Sequence, residues 1–206
     1  FYNLGLGEPF GISALHGYNK VLGADSAKRS IAVIGDSTFA HSGLSALIST
    51  VYNKGAGTVC VLDNRTTAMT GRQGNPFNGE TLQHRPSREL DLEGVLTAIG
   101  VPDVRTVDPN DMKAVRLALR EATRSDELSV IVFRSPCVLI DRIRKPTYAV
   151  ADTCTACGVC TTLGCPAIAK TEDGHAVIDG SMCIGCGQCE QYCAFKSIVS
   201  TAKEEE

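Results

Sequence analysis

The sequence lacks the features that would place the protein in a membrane or on a nucleic acid. No apolar run approaches the about 18 residues that a membrane-spanning helix needs, and no signal peptide is visible. The 206 residues carry a net charge of -3, and no segment is basic enough to bind a nucleic acid. With 43% hydrophobic residues, the chain is predicted to be globular and soluble, with one sizeable core.

The sequence also lacks a disulfide framework: the chain has ten cysteines, but their spacing does not suit one. Eight of them form two runs: Cys154, Cys157, Cys160 and Cys165, then Cys183, Cys186, Cys189 and Cys193. Cysteines three positions apart present their thiolates from successive bends of a tight loop, so three can hold one iron–sulfur cubane and a distant fourth can complete it. The pattern predicts two four-thiolate sites in a reducing, cytoplasmic compartment.

Three other uses of these cysteines fit the pattern less well. Structural zinc usually takes two separated pairs, which would leave the third cysteine of each triplet without a role. Disulfides need an oxidising compartment and do not favour triplets, and unligated core thiols would not be crowded in this way. Of the remaining two, Cys60 lies within a predicted strand and Cys137 follows a Ser-Pro pair; both are predicted to be packing residues.

The cysteine-rich segment resembles the bacterial ferredoxins that carry two clusters, in which the fourth cysteine of each run ligates the other cluster. The resemblance implies two [4Fe-4S] clusters, one held by Cys154, Cys157, Cys160 and Cys193, the other by Cys183, Cys186, Cys189 and Cys165. The segment departs from that family twice. Four residues precede Cys165 where three are usual, and Ala194 follows the last cysteine where proline is usual. We expect the extra residue to reshape the surroundings of the second cluster without preventing ligation.

Charge divides the chain into two predicted domains, residues 1–145 and 146–206. Residues 151–206 carry eight acidic residues against three lysines, whereas the preceding part has a small positive excess. The join is predicted at the short basic segment 141–146. In the second domain, residues 167–171 and 176–179 are predicted to form a hairpin around Gly174, with a further strand within residues 197–202.

In the first domain, short apolar runs alternate with helical patterns. Strands are predicted at residues 30–34, 58–62, 104–107 and 128–133, and helices at residues 15–21, 44–51, 92–99 and 108–119, the last opening at Asp108-Pro109. The helix at 44–51 has an apolar face predicted to be core, formed by Leu44, Leu47, Ile48 and Val51. The alternation predicts a parallel sheet covered on both faces. The polar loop of residues 65–88 is too long to be a simple connector.

Polar residues follow the first two predicted strands. Asp36 and Asn64 lie at the carboxyl ends of these strands, where parallel sheets bind ligands, and each can offer an oxygen to a hard cation such as Mg²⁺. Gly35 permits close backbone approach, Ser37 and Thr38 supply hydroxyl and N–H groups, and the helix that follows offers its positive end to a diphosphate. On this spacing alone, a magnesium diphosphate site and an ordinary turn both remain open.

At these residues the chain resembles thiamine diphosphate enzymes, and among them the 2-oxoacid:ferredoxin oxidoreductases. The resemblance rests on GDSTFAHSG at 35–43 and LDNRTTAMTGRQ at 62–73. It fits the C-terminal part of the alpha subunits of indolepyruvate:ferredoxin oxidoreductases, which carry a fused ferredoxin domain. It implies thiamine diphosphate and Mg²⁺, with Asp36 and Asn64 as side-chain ligands, Thr66 as a backbone carbonyl ligand and Thr70 near the cofactor.

The fold class implied is α/β: a parallel-sheet thiamine diphosphate-binding domain followed by a small α+β, bacterial ferredoxin-like 2[4Fe-4S] domain. The activity implied is oxidative decarboxylation of a 2-oxoacid, such as the arylpyruvate indolepyruvate, to acyl-CoA and CO2. Electrons would pass from thiamine diphosphate through both clusters to ferredoxin. His41, beside the Gly-Asp-Ser turn, is a candidate acid–base group but equally suits capping or packing. The alternatives are an oxidoreductase for pyruvate or another 2-oxoacid, and a non-catalytic electron-transfer module.

The resemblance also implies partners. The pyrimidine-binding domain of the family, whose glutamate protonates the cofactor, has no counterpart in the 206 residues, and pockets for coenzyme A and substrate are not traceable. The expected partners are a pyrimidine-binding domain or subunit, a second subunit of beta or gamma type, an external ferredoxin, a 2-oxoacid and coenzyme A. Because the sequence begins at Phe1, it is expected to be part of a longer polypeptide. Glu8 is the alternative source of the glutamate.

Overall fold

The computed structural model describes residues 10–140 and 145–202. The chain folds into two compact units, the first ending at Cys137 and the second beginning at Val138. Residues 1–9, which include Glu8, and residues 141–144 of the predicted join lie outside the described residues. The predicted domain boundary after residue 145 therefore stays a prediction.

A parallel sheet forms the centre of the first unit. Its strands are β1 (Ile31–Gly35), β2 (Gly57–Asp63), β3 (Asp103–Val107) and β4 (Leu128–Arg134), in the order β1-β2-β4-β3. The two inner strands, β2 and β4, are mostly apolar and almost entirely buried, as a sheet covered on both faces requires. The register pairs Gly35 with Leu62 and Asp63 with Arg134, so the carboxyl ends of β1, β2 and β4 lie side by side. The predicted α/β fold class is confirmed.

Helices surround this sheet. They are α1 (Phe10–Leu22), α2 (Ala24–Ala27), α3 (Asp36–Thr38), α4 (Leu44–Tyr52), α5 (Leu92–Ala98) and α6 (Met112–Ala122). A π-helical segment, Phe39–Gly43, connects α3 to α4, and a short 3-10 helix, Ala68–Thr70, lies in the long loop after β2. Among the described residues, no helix is long and apolar enough to cross a membrane.

Alternate residues of the inner strands contribute to two hydrophobic clusters. Val59 and Val61 of β2 belong to one cluster, together with Leu47 of α4. Cys60, between them, belongs to the other, together with Ala118 of α6. Successive side chains of a strand point to opposite faces, so the clusters lie on the two sides of the sheet. Burial raises the pKa of the Cys60 thiol to about 12, and Cys60 is a core residue as predicted.

The predicted core face of α4 is wrong at one position. Ile48 is 49% exposed, whereas Leu47 and Thr50 are buried. Each residue of a helix is rotated by about 100° from the one before it, so the orientation that buries Leu47 turns Ile48 toward solvent. Thr50 can occupy the buried face because its hydroxyl donates to the Ala46 carbonyl at 2.9 Å.

The predicted start of α6 is also wrong. The helix begins at Met112, after the cap Asp111, and not at Asp108-Pro109. The Asp111 carboxylate accepts the N–H groups of Lys113 and Ala114 at 3.0 and 2.9 Å, which satisfies two donors of the first turn. Asp108 instead accepts the Asn110 N–H in a turn before the helix.

The second unit is built from two small antiparallel pairs of strands. They are β5 (Tyr148–Val150) with β8 (Ile198–Ser200), and β6 (Ile168–Lys170) with β7 (Ala176–Ile178). A 3-10 helix, Val159–Leu163, and α7 (Gln188–Tyr192) follow the two cysteine-rich loops. The hairpin around Gly174 and the strand within residues 197–202 are confirmed, whereas the three-residue β5 was not predicted. Buried Cys160, Cys189 and Ile198 form the core of this unit.

Candidate functional site

Asp36 lies at the edge of the sheet where β1 ends, as the first residue of α3. It is buried, with 2% exposure. Its Oδ1 accepts the Ser37 N–H at 2.7 Å, and its Oδ2 accepts the Nδ2–H of Asn75 at 3.0 Å. Burial raises the pKa of Asp36 above its usual range; the bonds from Asn75 and Ser37 oppose this shift, and nearby Asp63 adds to it. A buried carboxylate whose ionised form is disfavoured is suited to take up a cation.

Asn64 begins the long loop directly after β2. Its Oδ1 accepts the Thr66 N–H at 3.1 Å, and the residue between them, Arg65, has a left-handed φ of 63°. Thr66 is buried, and its hydroxyl donates to the Gln73 carbonyl at 3.1 Å. These bonds fix a tight turn that begins at the strand end.

A hydrogen bond between side chains joins this turn to the Asp36 turn. The Thr67 hydroxyl donates to Oγ of Ser37 at 2.8 Å. The structure therefore brings together the two stretches that carry the predicted magnesium ligands. Beyond Gly35, the backbone stays helical from α3 through the π-helical segment into α4. Ser37 and Thr38 thus lie at the start of a helix, where backbone N–H groups favour phosphate.

Two further predicted residues are exposed. Thr70 ends the 3-10 helix, and its hydroxyl donates to Oε1 of Gln73 at 2.7 Å. His41 lies within the π-helical segment, a type of distortion that is frequent at functional sites. The placement of Thr70 near the cofactor and the acid–base role of His41 stay predictions.

The donor set at this edge fits magnesium. Asp36, Asn64 and the Thr66 carbonyl all offer oxygen, the donor that Mg²⁺ prefers. In the part of the chain that the structure describes, no three or more His, Cys, Asp or Glu side chains converge so that they could hold one metal ion. A cation here would rely on one carboxylate, on amide and carbonyl oxygens and on phosphate, which is the usual way that Mg²⁺ is bound.

In the second unit, four cysteines surround one cavity. Its lining includes Cys154, Cys157 and Cys160 of the first run and Cys193 of the second. Burial raises the pKa of the Cys160 thiol, and the neighbouring thiols of the other three raise it further. Four thiols that line one cavity are the ligand set that a [4Fe-4S] cubane requires. The structure places Cys193 with the first run, as the crossed pairing of the ferredoxin resemblance implies.

Cysteines of the second run also lie close to one another. Burial raises the pKa of the Cys189 thiol to about 11, and the nearby thiols of Cys186 and Cys183 contribute to the rise. Cys165 is half-buried at the end of the first run. Its assignment as the fourth ligand of this group stays a prediction, as do the other residue assignments at both sites.

Comparison with known families bears on both units. Residues 3–133 match the family described as "Thiamine pyrophosphate enzyme, C-terminal TPP binding domain". The chain belongs to the thiamine pyrophosphate enzymes. Thiamine pyrophosphate is another name for thiamine diphosphate, so the cofactor that the Gly-Asp-Ser resemblance implied is confirmed for the domain. Residues 147–194 match "4Fe-4S dicluster domain", which supports iron–sulfur clusters over zinc, disulfides or core thiols.

Curated relatives of this thiamine pyrophosphate enzyme share its two-part sequence. Indolepyruvate oxidoreductase subunit IorA of Thermococcus kodakarensis is 42% identical over 80% of the chain. The protein of the same name from Methanothermobacter thermautotrophicus is 34% identical over 98% of the chain. The chain spans 27% and 32% of the length of these two relatives. Among solved structures, a thiamine diphosphate-dependent 4-hydroxybenzoylformate decarboxylase of Rhodococcus jostii RHA1 is similar over 62% of this chain and 23% of its own, at 23% identity and a TM-score of 0.43.

This thiamine pyrophosphate enzyme also has an ion-pair network that the sequence patterns did not reveal. The buried carboxylate of Asp63 accepts Nε–H of Arg134 at 2.7 Å and lies 3.4 Å from Nε of Arg65. Arg134 also pairs with Glu93 at 2.7 Å. Asp63 and Arg134 end neighbouring strands but are 71 positions apart, so only the strand order brings them together.

Proposed function

We propose that this chain is the cofactor-binding and electron-carrying part of a 2-oxoacid:ferredoxin oxidoreductase. The reaction consumes a 2-oxoacid, coenzyme A and two oxidised ferredoxins, and yields acyl-CoA, CO2, two reduced ferredoxins and a proton. One observation carries the proposal: a thiamine pyrophosphate-binding domain and a 4Fe-4S dicluster domain occur in one chain. The names of the relatives favour an arylpyruvate such as indolepyruvate as the substrate.

In this proposal, the edge of the sheet beyond β1 and β2 binds the cofactor. Asp36, the amide oxygen of Asn64 and the carbonyl of Thr66 hold Mg²⁺, and the metal in turn holds the diphosphate. Gly35 lets the backbone approach the phosphates. Thiamine diphosphate, when bound, supplies the electron sink that loss of CO2 from a 2-oxoacid requires. The short distance from Thr67 to Ser37 supports one shared site.

The second unit then accepts the electrons. The proposed ligands of the first cluster are Cys154, Cys157, Cys160 and Cys193. Those of the second cluster are Cys183, Cys186, Cys189 and Cys165. The cavity that includes Cys193 among its lining residues supports the crossed pairing. Electrons leave to an external ferredoxin, and thiolate-held clusters suit the reducing cytoplasm as the compartment.

The active site is completed by a pyrimidine-binding unit and a second subunit. The cofactor needs a carboxylic acid at its pyrimidine ring, and the described carboxylates at this edge have other partners. Asp36 is bonded to Asn75 and Ser37, and Asp63 to Arg134 and Arg65. The acid must then come from outside the described residues.

Replacing Asp36 by Ala tests the cofactor site. Asp36 is the one charged ligand in the proposed set, so Asp36→Ala should weaken Mg²⁺-dependent binding of thiamine diphosphate at least about 100-fold in calorimetry. Iron and sulfide should stay at the wild-type level, near eight of each per chain, because two cubanes are expected in the other unit.

Asp103→Ala is the matched control, since Asp103 begins β3 and its carboxylate accepts a hydrogen bond from Arg105. Wild-type affinity in Asp36→Ala would remove Asp36 from the site. If the wild-type chain holds iron but binds no thiamine diphosphate even when its pyrimidine-binding unit and second subunit are present, the electron-transfer module is favoured.

A further inference from the structure

Asn75 lies in the long loop after β2 and reaches the Asp36 carboxylate. Its side chain is buried, with a residue exposure of 7%, and its Nδ2–H donates to Oδ2 of Asp36 at 3.0 Å. The two residues are 39 positions apart. A buried amide that donates to a buried carboxylate both satisfies its own N–H and restricts the carboxylate to one orientation.

A second hydrogen bond fixes which end of the Asn75 amide faces Asp36. The Phe77 N–H donates to Oδ1 of Asn75 at 3.0 Å. A backbone N–H can only donate, so the atom that it meets must be the amide oxygen, and the NH2 group is left for Asp36. The orientation of the amide therefore follows from the hydrogen-bond network.

The neighbouring chain holds Asn75 in place. Phe77 is 1% exposed and belongs to the core cluster that contains Val59. The Phe77 carbonyl accepts a bond from Nη1 of Arg65, and the Leu90 N–H donates to the Pro76 carbonyl at 2.9 Å. The segment around Asn75 thus packs into the core through Phe77, and hydrogen bonds connect it to residues at both ends of the loop.

We propose that Asn75 is a positioning residue for magnesium. By occupying Oδ2 of Asp36 on one side, while the Ser37 N–H occupies Oδ1, it holds the carboxylate with its remaining lone pairs directed to the metal. Because Asn75 belongs to the long loop after β2, this role also couples the ordered conformation of that loop to metal binding. Partners that orient a metal ligand typically contribute 10-fold to 100-fold to metal affinity. This inference rests on the proposed function of the same edge.

The test compares Asn75→Ala with Asn78→Ala. Asn78 belongs to the same loop, but its Oδ1 accepts the Glu80 N–H, and its half-buried side chain forms no bond to Asp36. Binding of thiamine diphosphate to the chain, completed by its pyrimidine-binding unit and second subunit, is measured by calorimetry across a series of Mg²⁺ concentrations. Asn75→Ala should need at least about 10-fold more Mg²⁺ for half-maximal binding, and its affinity should approach the wild-type value at saturating Mg²⁺. Asn78→Ala should match the wild type.

The outcomes separate this inference from the proposed function. If the wild type binds and Asn75→Ala has the wild-type dependence on Mg²⁺, the positioning role is refuted and the proposed function stands. A loss in Asn75→Ala that saturating Mg²⁺ does not restore also refutes the role, because it indicates damage to the loop. If Asn75→Ala fails to fold, Asn75→Ser replaces it and the same criteria apply. Wild-type protein that binds no thiamine diphosphate overturns the inference and the proposed function together.

Discussion

Asp63, Arg134 and Glu93 form a charged group whose members come from distant parts of the first unit. The Glu93 carboxylate accepts bonds from Arg134 and from the Thr106 hydroxyl, the latter at 2.6 Å. Hydrogen bonding to Arg134 lowers the pKa of Glu93 to about 2, against burial, which acts in the other direction. The network ties the end of β4 to α5, next to the loop that carries Asn64.

This shift gives a pH-dependent contribution to stability. Because the pKa in the folded state lies below the ordinary value of 4.5, ionised Glu93 stabilises the fold above about pH 4.5, and the stabilisation is lost as the pH falls toward 2. Glu93→Gln should lower the free energy of unfolding of the first unit at pH 7, by about 1 kcal/mol or less, because the side chain is 35% exposed and solvent screens the pair. Urea unfolding, followed by circular dichroism of the cluster-free chain, should show the difference from wild type narrowing between pH 5 and pH 3. Exposed Glu127→Gln is the control, and a constant difference would refute the explanation.

Residues close in sequence to a strand end could be predicted, and residues that meet through the fold could not. Asp36 and Asn64 could be proposed as ligands because each comes two positions after an apolar run, and parallel strands end at one edge. Asn75 and Arg134 carry no local signal, since each meets its carboxylate partner only through the sheet order and the path of the loop. Asp111 was missed for another reason: Asp108-Pro109 is also a plausible start of a helix.

Among the elements of the second unit, the same local structure, a glycine followed by a short helical segment, occurs in both cysteine-rich loops. Gly158 and Gly187 each follow the second cysteine of a run, and both have a left-handed φ, 73° and 74°. A short helical segment follows each of them. A Cβ built on Gly187 would lie 3.0 Å from the Tyr148 hydroxyl oxygen, and one built on Gly158 would lie 2.9 Å from Nζ of Lys170. Both loops therefore need glycine for backbone conformation. The Tyr148 ring also leaves little space at Gly187, whereas the flexible Lys170 side chain can move away from Gly158.

Gly187→Ala should destabilise the second cysteine loop. The left-handed conformation costs alanine about 1–2 kcal/mol, and the methyl group crowds Tyr148. Anaerobic protein of the variant should lose iron to a chelator faster than wild type, with loss first from the cluster whose proposed ligands include Cys186 and Cys189. Gly180→Ala, which has open space around its Cα and an ordinary φ, is the control. Equal rates of iron loss in the two variants would show that the loop does not need glycine.

Sequence periodicity predicted most elements because their apolar patterns are long. The four strands of the parallel sheet are five or seven residues each, three of them are mostly apolar, and all four were located. The three-residue β5 was missed because so short a strand has no periodicity, and its pairing with β8 is a contact between opposite ends of the unit. The buried face of α4 was misjudged at Ile48, since four apolar residues on one side do not fix which of them face the sheet.

At the scale of the whole molecule, the proposed function assigns cofactor binding to the first compact unit and electron transfer to the second. The chain also spans less than a third of the length of the relatives named above. Turnover in the proposed function therefore needs more than the 206 residues, whereas the clusters can be examined in this chain alone. In the proposed function, electrons from a 2-oxoacid reach the clusters.

Reduction of the clusters by substrate is the decisive measurement of this electron transfer. The chain, completed by its pyrimidine-binding unit and second subunit, is mixed anaerobically with Mg²⁺, thiamine diphosphate, coenzyme A and a 2-oxoacid, and cluster absorbance and EPR are recorded. We expect indolepyruvate to bleach both clusters and to do so faster than 2-oxoglutarate, and the same assembly with Asp36→Ala to stay oxidised until dithionite is added. Clusters that dithionite reduces in the wild type but that no 2-oxoacid reduces would contradict the proposed function.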